Sequence, residues 1–262
     1  VAEAIYESVL PRYASDDVPK TPIGIIVSMC DRLDSLVGLV AAGCGATATS
    51  DPFGLRRIAY GVIQTVVKNG ITIDLSSAIE SSASLQPIEV TDQHREQALD
   101  FLCKRLEQMM VDEGHPREVV RSVLVERKRD PSLAMKTVQE LSAEFQGASF
   151  ARVAAAYARP TRIVAGKVDE SWRVDESMFE GGEEKRLWNA YLAAKTPLRQ
   201  GQPSIGEFIE ASQCLEDPME EFFEKVFVMA EDEGVKRNRL AMMRDISRLP
   251  SGILDLKSLP NF

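Results

Sequence analysis

The chain is predicted to be all-α, and three features of its sequence carry that prediction. Apolar residues recur at helical spacing over long stretches, as in Ile25, Ile26, Met29, Leu33, Leu36, Val37 and Val40, which gathers them on one helix face. Cap-and-proline pairs open successive segments at Thr21-Pro22, Asp51-Pro52 and Asp130-Pro131: the polar side chain accepts from free first-turn N–H groups, and proline at the first position has no N–H to strand. Strand signals are nearly absent. The alternating run Ile71-Thr72-Ile73-Asp74-Leu75 has no partner, so a short helix to Leu85, capped by Asp74 or Ser76, is the preferred reading.

Taken in order, residues 1–10 read as the end of a helix closed by Pro11, followed by a polar connection to Lys20. The helix from Pro22 runs into the small-residue loop Gly43–Ser50, and the next is expected to start with Asp51 as N-cap and Pro52 at the first position, ending at Asn69-Gly70. Thr91 or Asp92 opens a helix with Ala98, Phe101, Leu102, Leu106, Met109 and Met110 as its stripe, closed by Gly114. Shorter helices follow from Pro116 and from Asp130-Pro131 to Phe145. Gln146-Gly147-Ala148 is the expected boundary between a domain at 1–145 and one at 146–262.

In the second half, Ser149 is expected to cap a helix over Phe150–Ala158 that Pro160 interrupts. An acidic, poorly periodic loop with Trp172 leads to a helix over Glu183–Ala194. Ser204 and Glu207 fit a capping box opening a helix to Pro218. Phe222, Phe223, Val226, Phe227 and Met229 form the most apolar face, and Val235–Leu249 closes the fold.

At 262 residues and 44% hydrophobic, the chain can bury one large or two small cores. A net charge of −9 argues against a general polyanion binder, so any nucleic-acid site is a local basic face on an acidic body. Cys30, Cys44, Cys103 and Cys214 are scattered, with no C-x-x-C pair, and read as reduced, mostly buried thiols rather than a zinc site or disulfide framework. His94 and His115 have no polar constellation near them in sequence and read as surface or cap residues. No apolar run approaches a membrane span, and Val1–Tyr6 resembles the middle of a helix rather than a leader, so the chain is expected to belong to a longer protein. Phosphate-loop, nucleophile-elbow and dinucleotide-glycine patterns are all missing.

The stretch Asp31–Gly38 followed by Thr47 and Asp51–Arg57 carries a family resemblance. It is similar to the β-subunit portion of bacterial-type glycyl-tRNA synthetases, whose pattern is D-[KR]-x-D-[ST]-L-x-G and then P-T-G-S-x-D-P-[FY]-A-L-R-R. Asp31, Asp34, Leu36, Gly38, Thr47, Asp51, Pro52, Phe53, Leu55, Arg56 and Arg57 match, while Ala46, Ala48, Thr49 and Gly54 depart from it. The wording from Gly54 to Tyr60 looks most like plant and algal organellar members. The first half thus resembles an HD-like helical domain. The phosphohydrolases related to it need a His-Asp pair and further ligands to hold a metal; Asp31 stands at the last such position, but no His-Asp dipeptide occurs in the chain. The second half resembles a helical-bundle, DALR-like anticodon-binding domain through Tyr157–Val164, Phe222–Met229 and Val235–Met242.

The resemblance implies a tRNA-binding part of a glycine–tRNA ligase, with no catalytic residue, metal ligand or cofactor of its own. ATP and Mg belong to the parent's catalytic α-type region or subunit. The implied partners are glycine tRNA and that catalytic region, in a dimer of αβ units in a chloroplast or mitochondrion, with a bacterial cytoplasm as the alternative. The implied tRNA contacts are Arg152, Arg159, Arg162 and Lys167, and Lys236, Arg237, Arg239 and Arg244, with Arg248 beyond them; residues 236, 239 and 244 fall close to one helical face, where their charges can add along a line of phosphates. On residue pattern alone, solvated faces with salt bridges to Glu residues such as Glu231 and Glu233 are the preferred reading of both clusters, and the resemblance reverses that preference. Arg56 and Arg57 either contact the acceptor arm or brace their loop against Asp31 or Asp34. Tyr157, Trp172 and Trp188 are candidate base platforms, with core packing the better reading of Tyr157. A second reading keeps the fold and loses the RNA: a non-catalytic scaffold.

Overall fold

A computed structural model describes residues 1–45, 50–166, 168–260 and 262, and every regular element in them is helical. The chain divides into two compact units, residues 1–120 with 127–136, and residues 121–126 with 137–262.

The first unit contains α1 (Ala2–Ser8), α2 (Pro22–Ala41), α3 (Leu55–Lys68), α4 (Leu75–Ala83) and α5 (Asp92–Asp112). Helices α6 (Arg117–Arg127) and α7 (Pro131–Glu144) each contribute residues to both units. Thr21 caps α2 by accepting from the Gly24 N–H at 3.1 Å, with Pro22 at the first position. Leu36 and Val37 of α2, Val62, Ile63 and Val66 of α3, and Leu102 and Leu106 of α5 are essentially sealed from solvent. Asp74 caps α4, accepting from Ser77 N–H at 2.7 Å, and α4 is a helix as the absence of a partner strand implied. Thr91 caps α5 in a box completed by His94, whose Nδ1 accepts from the Thr91 N–H at 3.3 Å; one histidine is thus a cap residue.

One expected start is displaced. Helix α3 begins at Leu55, not Pro52. Residues 51–54 form a turn in which the Gly54 N–H donates to the Asp51 carbonyl at 3.1 Å. Gly54 then takes φ 68°, a left-handed conformation that favours glycine and breaks helical continuity. The Asp51 carboxylate still does a cap's work, accepting from the N–H groups of Leu55 at 2.8 Å and Arg56 at 3.0 Å.

The second unit adds α8 (Ala148–Val164), α9 (Gly182–Leu198), α10 (Ile205–Gln213), α11 (Glu216–Lys225) and α12 (Glu233–Ser247). Its core is built from Phe150, Val153 and Tyr157 of α8, Leu187 of α9, Phe208 of α10, Phe222 of α11 and Met243 of α12. Ser204 and Glu207 form the expected capping box.

Four expectations are corrected here. Helix α8 starts after Gly147, with Ser149 in its first turn rather than capping it. It also runs through Pro160 to Val164; the proline forfeits one backbone bond, but its ring is buried. The helix opened by Ser204 stops before Cys214, and Pro218 instead falls in the first turn of α11, where a missing N–H costs nothing. Helix α11 ends at Lys225, so Phe227 is 73% exposed rather than part of an apolar face.

All four cysteines are free, and none is fully buried: Cys30 and Cys214 are exposed, Cys44 and Cys103 intermediate. Burial nevertheless pushes the Cys103 thiol up to about 11. No helix among the described residues is long and apolar enough to cross a membrane.

The start of α2 depends on a carboxylate from α1. Glu7 accepts from the N–H groups of Lys20 at 2.9 Å and Thr21 at 3.1 Å, and from the Thr21 hydroxyl. A Cβ on Gly24 would fall 1.9 Å from Glu7 Oε2, so Gly24→Ala is expected to lower the melting temperature despite alanine's higher helix propensity. These hydrogen bonds, the Thr21 hydroxyl first, hold the Glu7 carboxyl below its ordinary 4.5. A depressed carboxyl stabilises the fold above its unfolded value and loses that contribution as pH falls. The melting-temperature gap between wild type and Glu7→Gln is therefore expected to be largest at pH 7 and to close below pH 4.5; a gap that widens on acidification would contradict this role for Glu7.

Candidate nucleic-acid interface

The first basic cluster follows from the phase of α8. Phe150, Val153 and Tyr157 turn inward, the Tyr157 ring stacking on Phe208 with centroids 5.8 Å apart and its hydroxyl 2.9 Å from Ser212 Oγ. Tyr157 is therefore core and no base platform; burial pushes its phenol well above the ordinary range. Arg152 and Arg159 are seven residues apart, which returns them to within about 20° of the same outward direction, and Arg162 is exposed near that face. Arg152 Nε pairs with Glu216 at 3.1 Å, and the Arg159 guanidinium lies 4.1 Å from the Phe223 ring centroid. Between α8 and α11 runs a groove of about 580 Å³ whose α11 side carries Glu216, Asp217, Glu220 and Glu224. Lys167 lies outside the described residues.

The second cluster does not form the expected line of charges. Arg239 is 6% exposed and points into the unit. Its Nε donates to Glu184 at 2.8 Å, Nη2 to Glu180 at 2.7 Å and Nη1 to the Phe227 carbonyl at 3.1 Å. Burial lowers the proton affinity of Arg239, and its bonds to Glu184 and Glu180 more than restore it, leaving the pKa raised. Arg244 is 5% exposed, donating to the carbonyls of Asp169 at 3.0 Å and Trp172 at 2.9 Å and pairing with Asp245 at 2.6 Å. Both arginines share the inward side of α12 with Leu240, Met243 and Ile246, so neither presents charge to a ligand in this structure. Lys236 pairs with Glu233 at 2.8 Å, and Arg248 pairs with Glu170. Arg237 alone of the expected set on α12 is exposed, 4.0 Å from Glu233 and 5.7 Å from the Trp172 ring centroid. Trp188 stacks on Tyr191 with centroids 4.6 Å apart and donates to Glu176 at 3.0 Å.

In the first unit, Arg56 and Arg57 follow the Asp51 turn. Among the described residues no ion pair joins Arg57 to Asp31 or Asp34. Asp34 instead accepts from Gln86 at 2.7 Å, and the Arg57 guanidinium folds back over Gly54. Both arginines line a concavity of about 400 Å³ that also contains Arg12, Tyr60 and Arg105. Sequence periodicity gave no sign of this grouping, because three separate segments supply it. Asp31 is exposed beside Asp34 on α2. Among the described residues no three His, Cys, Asp or Glu side chains converge as a metal site.

Comparison with known proteins gives a consistent result. Residues 1–125 match the family described as "Glycyl-tRNA synthetase beta subunit". The whole chain is 45% identical over 263 aligned positions to an Arabidopsis thaliana protein named glycine–tRNA ligase, chloroplastic/mitochondrial 2, covering 25% of that relative. It is 34% identical to the glycine–tRNA ligase beta subunit of Syntrophotalea carbinolica and 33% identical to that of Chromohalobacter salexigens. In each of these two the alignment covers 99% of this chain and 38% of the relative. The chain thus spans between a quarter and two fifths of the length of these relatives.

The contrast between buried and exposed arginines predicts opposite stability effects. Arg239→Ala leaves Glu184, itself 1% exposed, without its cation, and is expected to cost about 3–5 kcal/mol in urea unfolding. Arg162→Ala, on an exposed position, is expected to change stability by less than about 0.5 kcal/mol. Equal effects would show that Arg239 does not fasten the unit.

Proposed function

We propose that the chain belongs to the glycyl-tRNA synthetase beta-subunit family, which its first 125 residues match, and that it is the tRNA-holding portion of a glycine–tRNA ligase, acting in an organelle. The observation that carries this reading is the end-to-end similarity: alignment to the Arabidopsis ligase covers 100% of this chain, both units included. In this reading the first unit is HD-like, and the region of α8 to α12 is a DALR-like anticodon-binding domain. Ligation, with ATP and Mg, occurs in a catalytic α-type region or subunit, within a dimer of αβ units.

Of the expected set, Arg239 and Arg244 are buried, and Arg152 and Lys236 are held in close pairs with Glu216 and Glu233. This leaves Arg159, Arg162 and Arg237, all exposed, to touch RNA. Such side chains grip the phosphate backbone and set its register, while bases are read by stacking and edge contacts. Trp172, half-buried beside Arg237, offers an aromatic surface to one of these cations, as Phe223 does to Arg159. The acidic groove wall formed by Glu216, Asp217, Glu220 and Glu224 favours the competing reading, a scaffold that has lost the RNA.

Titration of the chain with glycine tRNA and one unrelated tRNA across a range of salt concentrations tests the reading. Preference for glycine tRNA is expected, with affinity falling steeply as salt rises. Arg162→Glu together with Arg237→Glu is expected to weaken binding more than tenfold and to flatten the salt slope by about one unit per lost phosphate contact. Equal and negligible binding of both tRNAs would favour the scaffold.

A further inference from the structure

The concavity of the first unit has the composition of an anion site. Its lining residues include Arg12, Arg56, Arg57 and Arg105 and no carboxylate. Arg12 is balanced by a bidentate pair with Asp16, at 2.8 and 3.1 Å. The others differ. Arg57 is exposed and forms no ion pair among the described residues, and Arg105 Nε is buried without a hydrogen-bond partner. Behind the wall at Gly61 lies a further guanidinium, that of Arg32, only 2.9 Å from where a Cβ on that glycine would be. Arg32 is buried and held by neutral oxygens: the Val9 and Pro11 carbonyls at 3.1 and 3.0 Å and Ser28 Oγ at 3.2 Å. Burial lowers its pKa, Asp31 partly offsets this, and the charge of Arg57 lowers it further. Asp16 opposes Arg12, Asp31 acts on Arg32, and Asp112 and Glu113 at the end of α5 bear on Tyr60.

Arg57 and Arg105 therefore hold positive charge in the concavity, and Arg105 carries an unused donor. Planar guanidinium forks match the spacing of phosphate oxygens and bind them with two parallel hydrogen bonds. A volume of about 400 Å³ accommodates a phosphate group with the sugar on either side of it. We propose that this concavity binds a phosphate group through Arg57 and Arg105, and that its natural source is the phosphodiester backbone of RNA. The RNA source rests on the tRNA-holding reading; the phosphate chemistry does not.

The test uses the full 262-residue chain with inorganic phosphate, followed by calorimetry or phosphorus NMR, and separately with glycine tRNA across salt. Arg57→Ala/Arg105→Ala is compared with wild type and with Lys104→Ala, an exposed cation on α5 outside the lining. Thermal melts establish that each variant is folded, and Arg57→Ala alone, at an exposed position, serves if the double variant is not. Phosphate affinity is expected to fall at least tenfold in the double variant and to stay unchanged in Lys104→Ala. The tRNA salt slope is expected to fall by about one to two units in the double variant. Loss of phosphate binding with an unchanged tRNA slope would uphold the site and overturn its RNA source in favour of a free phosphate compound. Failure of wild type to bind tRNA, with the phosphate result intact, would uphold the site and overturn the tRNA-holding reading instead. Equal phosphate binding by wild type and double variant would overturn the proposal.

Discussion

The second unit depends on the buried pair between Glu184 and Arg239. Glu184 Oε2 accepts from the N–H groups of Glu180 at 2.7 Å and Gly181 at 3.0 Å, while Oε1 takes the Arg239 Nε bond at 2.8 Å. One carboxylate thus caps the start of α9 and anchors α12 together. Arg239 spends its remaining donors on Glu180 and on the Phe227 carbonyl, which ties down the chain leaving α11. Desolvating two charges costs several kcal/mol per ion and is offset only where geometry and accessory hydrogen bonds are complete. Here they are nearly complete, and truncating either partner leaves a buried charge stranded.

The first unit solves a related problem without a counter-ion. Arg32 is buried among the carbonyls of the segment after α1, and Glu7, 7% exposed, closes on the backbone N–H groups that open α2. Each charged group meets backbone dipoles of the opposite sense, so the segment between α1 and α2 is fastened from both sides. The two side chains also explain why Gly24 and Gly61 are glycines: a Cβ at either would displace Glu7 or Arg32. Close approach, not backbone freedom, is what these positions require.

Features decided within a few residues were legible in the sequence. The Thr21, Asp74, Thr91 and Ser204 caps close over the next three residues; Thr21 and Ser204 appear as read, and Asp74 and Thr91 are each one of the two residues offered for their helix. Features decided by packing were not. Asp51 looked like an adjacent cap and acts across a turn set by Gly54; Pro160 looked like a stop and is carried through by burial. The same limit governs the candidate site. Arg239 and Arg162 are indistinguishable as letters, yet one is 6% exposed and the other faces solvent, because helix phase relative to a partner is a tertiary property. The first unit's concavity draws on residues 12, 57 and 105, a separation no periodicity reveals.

With internal fastening subtracted, the surface cations differ in what surrounds them. Arg152 and Arg159 face a helix bearing Glu216, Asp217, Glu220 and Glu224, and within a Debye length of about 8 Å those charges offset much of their field. On a chain of net charge −9 this leaves α8 a weak attractor of polyanions. The concavity beside Arg57 has no carboxylate in its lining and a buried cation behind it. A walled cleft of one sign focuses its field and raises the local concentration of the opposite charge. An acidic protein can therefore hold RNA without a basic face, provided a few guanidiniums are withheld from internal ion pairs. Arg57 and Arg105 meet that condition in the first unit, as the buried Arg239 and Arg244 do not in the second.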